Sequence, residues 1–414
     1  MFAFPRQDIG AGLLGFLVAI PVSLGIALAS GVPLLSGLVA AVVGCLLVPC
    51  ISPAPLLITG PAAGMTSIVL LELKLLGGLE RVLAATAIAG GLQMVLGATK
   101  AGRFVQFVPE SVVKGMLAGI GVYIIRTQVM VAIGAEMGSA KDFANFDPGP
   151  LVLAVVSLSV FVAYRWVPAT WRTRFPTELA VVVLGALLAA AFASHPDVAL
   201  RAEHFVRLPL GGWSEVCSAL PAPGLGDFAS PRVWMVAFTI ALVASVESLV
   251  TLRAVDGMDP LSRTSPPNRD LLAQGLGNVA CGWLGGIPVT ASAVRSFANV
   301  QAGARERLAS LVQGALLLLA VLFGARLLNL IPLASLAALL IWIGLRLASV
   351  KVFVQHWREG WGSFVPYLGT LVGVMSTDLL NGVALGIALD LVRRAVMARR
   401  ASRSGGDGSR REAA

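Results

Sequence analysis

Between Ile9 and Leu71 the chain carries no Asp, Glu, Lys or Arg, a run of 63 residues. A soluble core cannot hide that much uninterrupted apolar chain, but a bilayer can. One transmembrane helix takes about 20 apolar residues, so the run has room for two or three crossings. The rest of the chain agrees: of 414 residues, 57% are hydrophobic and 13% charged, with a mean hydropathy of +0.85. An average soluble domain is roughly a quarter charged. The expected fold class is therefore an all-α polytopic membrane protein. The first apolar segment follows the weakly basic "MFAFPRQD" and has no small-residue cleavage site, so it reads as a first transmembrane helix and not as a signal peptide.

Several function classes fall away. The four cysteines, Cys45, Cys50, Cys217 and Cys281, show no zinc spacing. The net charge of +9 comes with three histidines and no basic-aromatic patch, so no nucleic-acid partner is expected. No P-loop points to ATP-driven pumping. No nucleophile and base stand at useful spacing, so the chain does not read as an enzyme.

Apolar segments fall near 11–30, 34–51, 62–78, 81–98, 112–133, 149–165 and 177–193, and again near 232–250, 268–284, 290–302, 308–323, 330–348, 363–377 and 380–396. That predicts 14 transmembrane segments. The strongly basic loops, such as "KAGR", "YRWVPATWRTR" and "RRAVMARRASRS", all follow even-numbered segments. The positive-inside rule then puts both termini in the cytoplasm. Seven segments, a polar spacer and seven more predict a 7+7 inverted repeat, the plan of many secondary transporters. The expected organisation is a first repeat over 1–195, a polar extracytoplasmic connection over 196–230, a second repeat over 231–397 and a disordered basic cytoplasmic tail over 398–414.

The third segment of each half is unusual. One opens "ITGPAAGMTS" and the other "GGIPVTASAVRS". Pro61 suits the first turn of a helix, with Thr59 or Gly60 as its N-cap. Such a helix begins partway through the membrane, so its exposed amides must be buried in protein or line a cavity. Thr290 and Ser292 repeat the pattern from the other side. Two facing helix starts form an anion site, to which Thr66 is also assigned, and Ala62, Ala63, Gly64, Ala291 and Ala293 are small enough to let the tips close on it. The plainer reading is a pair of Pro/Gly kinks between packed helices.

Glu247 is the lone charge in "FTIALVASVESLVTL", and Thr251 sits one turn later on the same face. An intramembrane acid is a functional hypothesis by default. Here it is read as an ion-coupling group that takes a sodium ion or a proton, or else as a structural ion pair with Arg295 or Lys114. Arg295, one turn past Thr290 or Ser292, adds a guanidinium to the anion site, unless it only tethers Glu247. No other cofactor is expected.

These stretches resemble the SulP inorganic anion transporters, related to the mammalian solute carrier 26 family. The resemblance runs over "DIGAGLLGFLVAIPVSLGIALASGVPLLSGLVAAVVG", "ITGPAAGMTSIVL", "FVPESVVKGMLAGIG", "ALVASVESLVTLRAVD" and "NRDLLAQGLGNVACGWLGGIPVTASAVRSFANVQAGARERLASLVQG". It implies a UraA-like fold with core and gate domains and an anion site between the third and tenth helix starts. It also implies transport of sulfate, bicarbonate, chloride or small carboxylates. Glu247 and Thr251 match the acid and threonine that help bind sodium in the family's bicarbonate carriers, although those carriers have Asp in place of Glu. Most members carry a STAS domain after the last helix. The closing "ARRASRSGGDGSRREAA" leads us to expect a short form without it, forming a homodimer through membrane segments in a bacterial inner membrane. The leading expectation is a secondary active transporter of bicarbonate or sulfate. The alternatives are a passive anion channel, an exchanger, or a non-transporting receptor or scaffold.

Overall fold

The computed structural model describes residues 5–100, 109–134, 147–168, 176–195, 198–210, 212–376 and 381–394. The basic tail and most of the loops after the fourth and fifth apolar segments lie outside the described residues.

The first half runs α1 (Pro5–Ala29), α2 (Leu34–Leu46), α3 (Val48–Ile51), strand β1 (Thr59–Gly60), α4 (Ala63–Leu76), α5 (Leu79–Ala98), α6 (Glu110–Ala132), α7 (Pro148–Ala163) and α8 (Thr177–Phe192). After the short α9 (Gly212–Ala219), the second half runs α10 (Pro231–Asp256), α11 (Pro267–Trp283), strand β2 (Thr290–Ala291), α12 (Ala293–Gln301), α13 (Leu308–Phe323), α14 (Ala325–Leu328), α15 (Leu333–Leu347), α16 (Val350–Arg358) and α17 (Trp361–Ser376). A last helix, α18, covers 381–394. Among the described residues, six stretches are long and apolar enough to cross a membrane, and α7, α8 and α13 are shorter apolar helices.

Local chemistry sets several boundaries. Proline stands in the first turn of α7, α10 and α11, where its missing N–H leaves nothing unpaired. Gly77 ends α4 in the left-handed conformation at φ 71°, and its N–H bonds Leu73 O at 3.0 Å. Among the described residues, three helices fall outside the predicted segments, the short α9 and α14 and the longer α16. Residues after 348 read as a basic loop, yet Val350–Arg358 is helical, because its apolar residues recur with helical spacing over too short a span to register as a membrane segment.

The described residues divide into two compact units, one within 5–100 and 124–343 and the other within 109–123 and 344–394. In the first unit α5 lies along α11 and α13 lies along α2, while α1 packs on α13 and α10 packs on α5. Each half thus lends its first long helix to the fourth-segment helix of the other, the exchange that an inverted repeat produces. The α5–α11 contact is backbone on backbone. A Cβ placed at Gly97, Gly275 or Gly282 would come within 2.6–2.7 Å of main-chain atoms of the facing helix. Small residues of this kind let membrane helices approach closely. At one end of this unit Arg263 clamps two loops together, bonding Asp259 at 2.7 Å, Glu306 at 2.9 Å and Arg305 O at 2.6 Å.

The connection between the halves is structured. Val206, Leu208 and Val216 are buried against Leu328, Ile331 and Leu336, and Asn329 bonds both Leu208 N and Leu208 O, at 2.7 and 3.0 Å. In the second unit Ala118, Phe364 and Tyr367 form the core, flanked by Val352, Leu368 and Leu371.

Candidate functional site

The two broken segments meet. β1 pairs antiparallel with β2 in the register Thr59↔Ala291 and Gly60↔Thr290. Each strand runs directly into a helix, β1 into α4 and β2 into α12, so the antiparallel pairing sets the two helix starts at opposite ends of one short strand pair. Neither start has a side-chain cap. A helix N-terminus leaves first-turn amides without intrahelical partners, and here no capping side chain takes them up.

One boundary differs from the expectation. The N-cap of the first tip is Ala62, in extended backbone at φ −121° and ψ 147°, and the helix begins at Ala63 rather than at Pro61. Thr59 and Gly60 are drawn into the strand pair, which holds Pro61 in the extended link between strand and helix. On the other side Ser292 is the N-cap, and its own N–H bonds Ile58 O at 2.9 Å.

Side chains from three helices hold the strands. Asn278 of α11 bonds Val289 at both ends, donating to its carbonyl at 3.0 Å and accepting from its N–H at 2.7 Å. Asn278 also donates to Gln93 Oε1 at 2.7 Å, and Gln93 reaches Ser245 on α10 at 3.3 Å. Gln274 donates to the Thr59 hydroxyl at 2.9 Å. Ala291 N–H donates to Ser248 Oγ at 3.1 Å, and Ile58 N–H to Ser296 Oγ at 2.9 Å. Two strands this short cannot hold each other with their own ladder bonds. The buried hydroxyl and amide groups supply the missing partners, as buried backbone requires.

The charged residues divide between the tips. Arg295 is the third residue of α12 and is 3% exposed. Its Nη2 donates to Pro61 O at 2.9 Å, while Nε and Nη1 have no partner. The guanidinium lies over Gly60, so a Cβ there would collide with it. Glu247 projects from the middle of α10 toward Gly64, where a Cβ would come within 2.5–2.7 Å of the carboxylate oxygens. Its Oε2 is covered and unbonded. The Thr290 hydroxyl neighbours that carboxylate without a well-formed hydrogen bond, and it has no other partner.

Of the predicted residues, the structure brings together Gly60 with Arg295, and Gly64 and Thr290 with Glu247. Ala62, Ala63, Ala291 and Ser292 form the two extended-to-helix junctions. Thr66 is buried in the first turn of α4 with its hydroxyl unbonded, and Thr251 is buried one turn along α10 from Glu247. The Thr59 hydroxyl oxygen accepts from Gln274 at 2.9 Å, which leaves its own O–H to donate. No ion pair joins Glu247 to Arg295 or Lys114 among the described residues, and Lys114 pairs with Glu110 at 2.7 Å.

Sequence reasoning passed over Gln274, Asn278 and Asp270, which bonds Ser52 at 2.6 Å. Their spacing was the available signal. Asp270, Gln274 and Asn278 stand four residues apart on one face of α11.

A buried guanidinium with two unbonded nitrogens is expensive in isolation. It also sits in the first turn of a helix, where a cation opposes the macrodipole. Two uncapped helix starts and an unpaired arginine form a concentrated positive field that an anion would neutralise. The carboxylate and hydroxyl beside it are hard oxygen donors suited to an alkali cation or a proton.

The chain matches the sulfate permease family over residues 6–365. It is 26% identical to the bicarbonate transporter BicA of Picosynechococcus sp., covering 92% of this chain and 69% of that one. It is 27% identical to the putative sulfate transporter YvdB of Bacillus subtilis, covering 94% and 73%. In structure it resembles the transmembrane domain of a cyanobacterial BicA with a TM-score of 0.80 at 23% identity, covering 92% of this chain and 98% of that one. It resembles SLC26A9 with a TM-score of 0.80 at 18% identity, covering 94% and 65%. The match over most of its length makes this chain a member of the sulfate permease family, whose members are transporters and not enzymes.

Proposed function

We propose that the chain is a secondary active transporter of a small oxyanion, bicarbonate or sulfate, in a bacterial inner membrane with both termini cytoplasmic. The observation that carries this reading is the β1–β2 pairing, which sets two uncapped helix starts together with the unpaired donors of Arg295. The anion would rest on the first-turn amides of α4 and α12, with Arg295 supplying charge-assisted hydrogen bonds. Glu247 and Thr251 form the coupling side. If sodium is the coupling ion, Glu247, Thr290 and Thr251 would hold it and the ion would supply a compensating charge. If a proton is, Glu247 carries it. In either case the coupling charge lies beside the substrate charge without being cancelled by it, and binding of one therefore favours the other. Alternate exposure of the site to the two faces would come from a core carrying the strand pair moving against a gate.

The test is uptake of radiolabelled sulfate and bicarbonate by proteoliposomes, each under a sodium and a proton gradient. Saturable uptake of one anion that follows one gradient is the expected result. Absence of saturable flux for any small anion in a fair panel would overturn the reading, and large unsaturable currents would assign a channel instead.

A further inference from the structure

α16 is built to meet a surface. Val350, Phe353, Val354 and Trp357 recur at the spacing of one helical face, and Trp361 at the start of α17 continues the stripe. All five are exposed, Val350 at 74%, Trp357 at 57% and Trp361 at 75%. The opposite face is packed into the second unit. There His356 is 3% exposed, lies 2.6 Å from Ser363 Oγ and stacks on Tyr367 at 4.8 Å. The helix is therefore held rigidly with its apolar stripe outward.

Lys351 and Arg358, seven residues apart on α16, lie on one flank of the stripe. Arg346, Lys351 and Arg358 are exposed, and none of the three has an ion-pair or hydrogen-bonding side-chain partner among the described residues. The nearby acid is already engaged. Glu359 accepts from Ser363 at 2.7 Å and Gln355 at 2.8 Å and lies 3.1 Å from His356 Nδ1. Val350, Lys351, Val354, Gln355, Arg358 and Glu359 line an open cleft of about 550 Å³. Its cations stand two turns apart with valines between them.

We propose that α16 lies in the plane of the membrane interface as a docking helix for anionic phospholipid. Val350, Phe353, Val354, Trp357 and Trp361 sit among the upper acyl carbons, and Lys351 and Arg358 bind headgroup phosphate in the cleft. An amphipathic helix with aromatic residues on one face and basic residues beside them binds interfaces in this way. Charge selects lipid over a second copy of the chain, because two such stripes packed together would bring unneutralised cations toward each other.

The test uses the whole protein. Native mass spectrometry would compare retention of phosphatidylglycerol and phosphatidylcholine by the wild type and by K351Q/R358Q. A basic side chain near an anionic surface is worth about 1 kcal/mol, so phosphatidylglycerol affinity should fall about fivefold for each charge removed, with phosphatidylcholine unchanged. In vesicles of brominated lipid, tryptophan quenching should drop in W357F/W361F relative to the wild type. Equal phosphatidylglycerol retention by the two proteins would overturn the proposal. So would undiminished quenching, or a loss of dimer in W357F/W361F showing that a second copy covers the stripe. None of these readouts requires transport, so the proposal stands or fails apart from the assigned function.

Discussion

α4 and α12 both follow a two-residue strand, both start in extended backbone and both lack a side-chain cap, yet α4 brings glycine where α12 brings charge. On the first tip Gly60 and Gly64 clear space. The second tip fills the space over Gly60 with Arg295, and α10, from the same half, fills the space over Gly64 with Glu247. A duplicated fold has thus been divided chemically, with one repeat providing room and the other providing the ions. The division also explains why Arg295 and Glu247 do not neutralise each other. Each occupies its own glycine position, and the strand pair holds the two positions apart.

If that division carries the mechanism, damage to each side should produce a different phenotype. The largest effect is expected from Glu247→Gln, which keeps the shape and removes the charge. Gradient-driven uptake should fall to the level of empty vesicles while anion binding persists, and unchanged ion dependence in this variant would remove Glu247 from coupling. Arg295→Gln should act on the other side. Losing one charged hydrogen bond of about 1.5–3 kcal/mol should raise the KM for the anion roughly 10- to 100-fold. An unaltered KM would mean that the arginine serves only to tie Pro61.

The glycines sharpen the contrast. Gly60→Ala pushes on the Arg295 guanidinium and Gly64→Ala on the Glu247 carboxylate, in each case on the far end of a side chain rather than on backbone. Both variants should fold, at a cost of about 1–3 kcal/mol for crowding. Gly60→Ala should raise the KM, whereas Gly64→Ala should weaken the response to the coupling gradient. Identical kinetic defects in the two would erase the distinction between the tips. The smallest effect on function is expected from Asn278→Ala, which removes the clamp on Val289 and the bond to Gln93. Its signature is stability, with about 1–3 kcal/mol lost for each buried group left unpaired, read as a lower unfolding temperature in detergent.

The membrane character, the two interrupted segments and the isolated intramembrane acid were all legible in the chain itself. They rest on transfer energies and on the geometry of proline and glycine, which act over a few residues. The anchoring residues were harder to see. Asn278 and Gln274 read as ordinary polar positions in a helix, because only a partner more than 200 residues away in the case of Thr59, or across the helix bundle in the case of Gln93, gives them a task.

Composition and hydrophobic pattern thus decided that this chain enters a membrane, where its helices break and which residues pay for being there. Tertiary structure alone decided that Thr59 pairs with Ala291, that the first helix starts at Ala63, and that Arg295 reaches Pro61 while Glu247 faces Gly64. The reason is one of range. A two-residue strand has almost no intrinsic preference for a partner or a register, so both are set by the close contacts of α5 with α11 and of α2 with α13, which form only when the two repeats have come together.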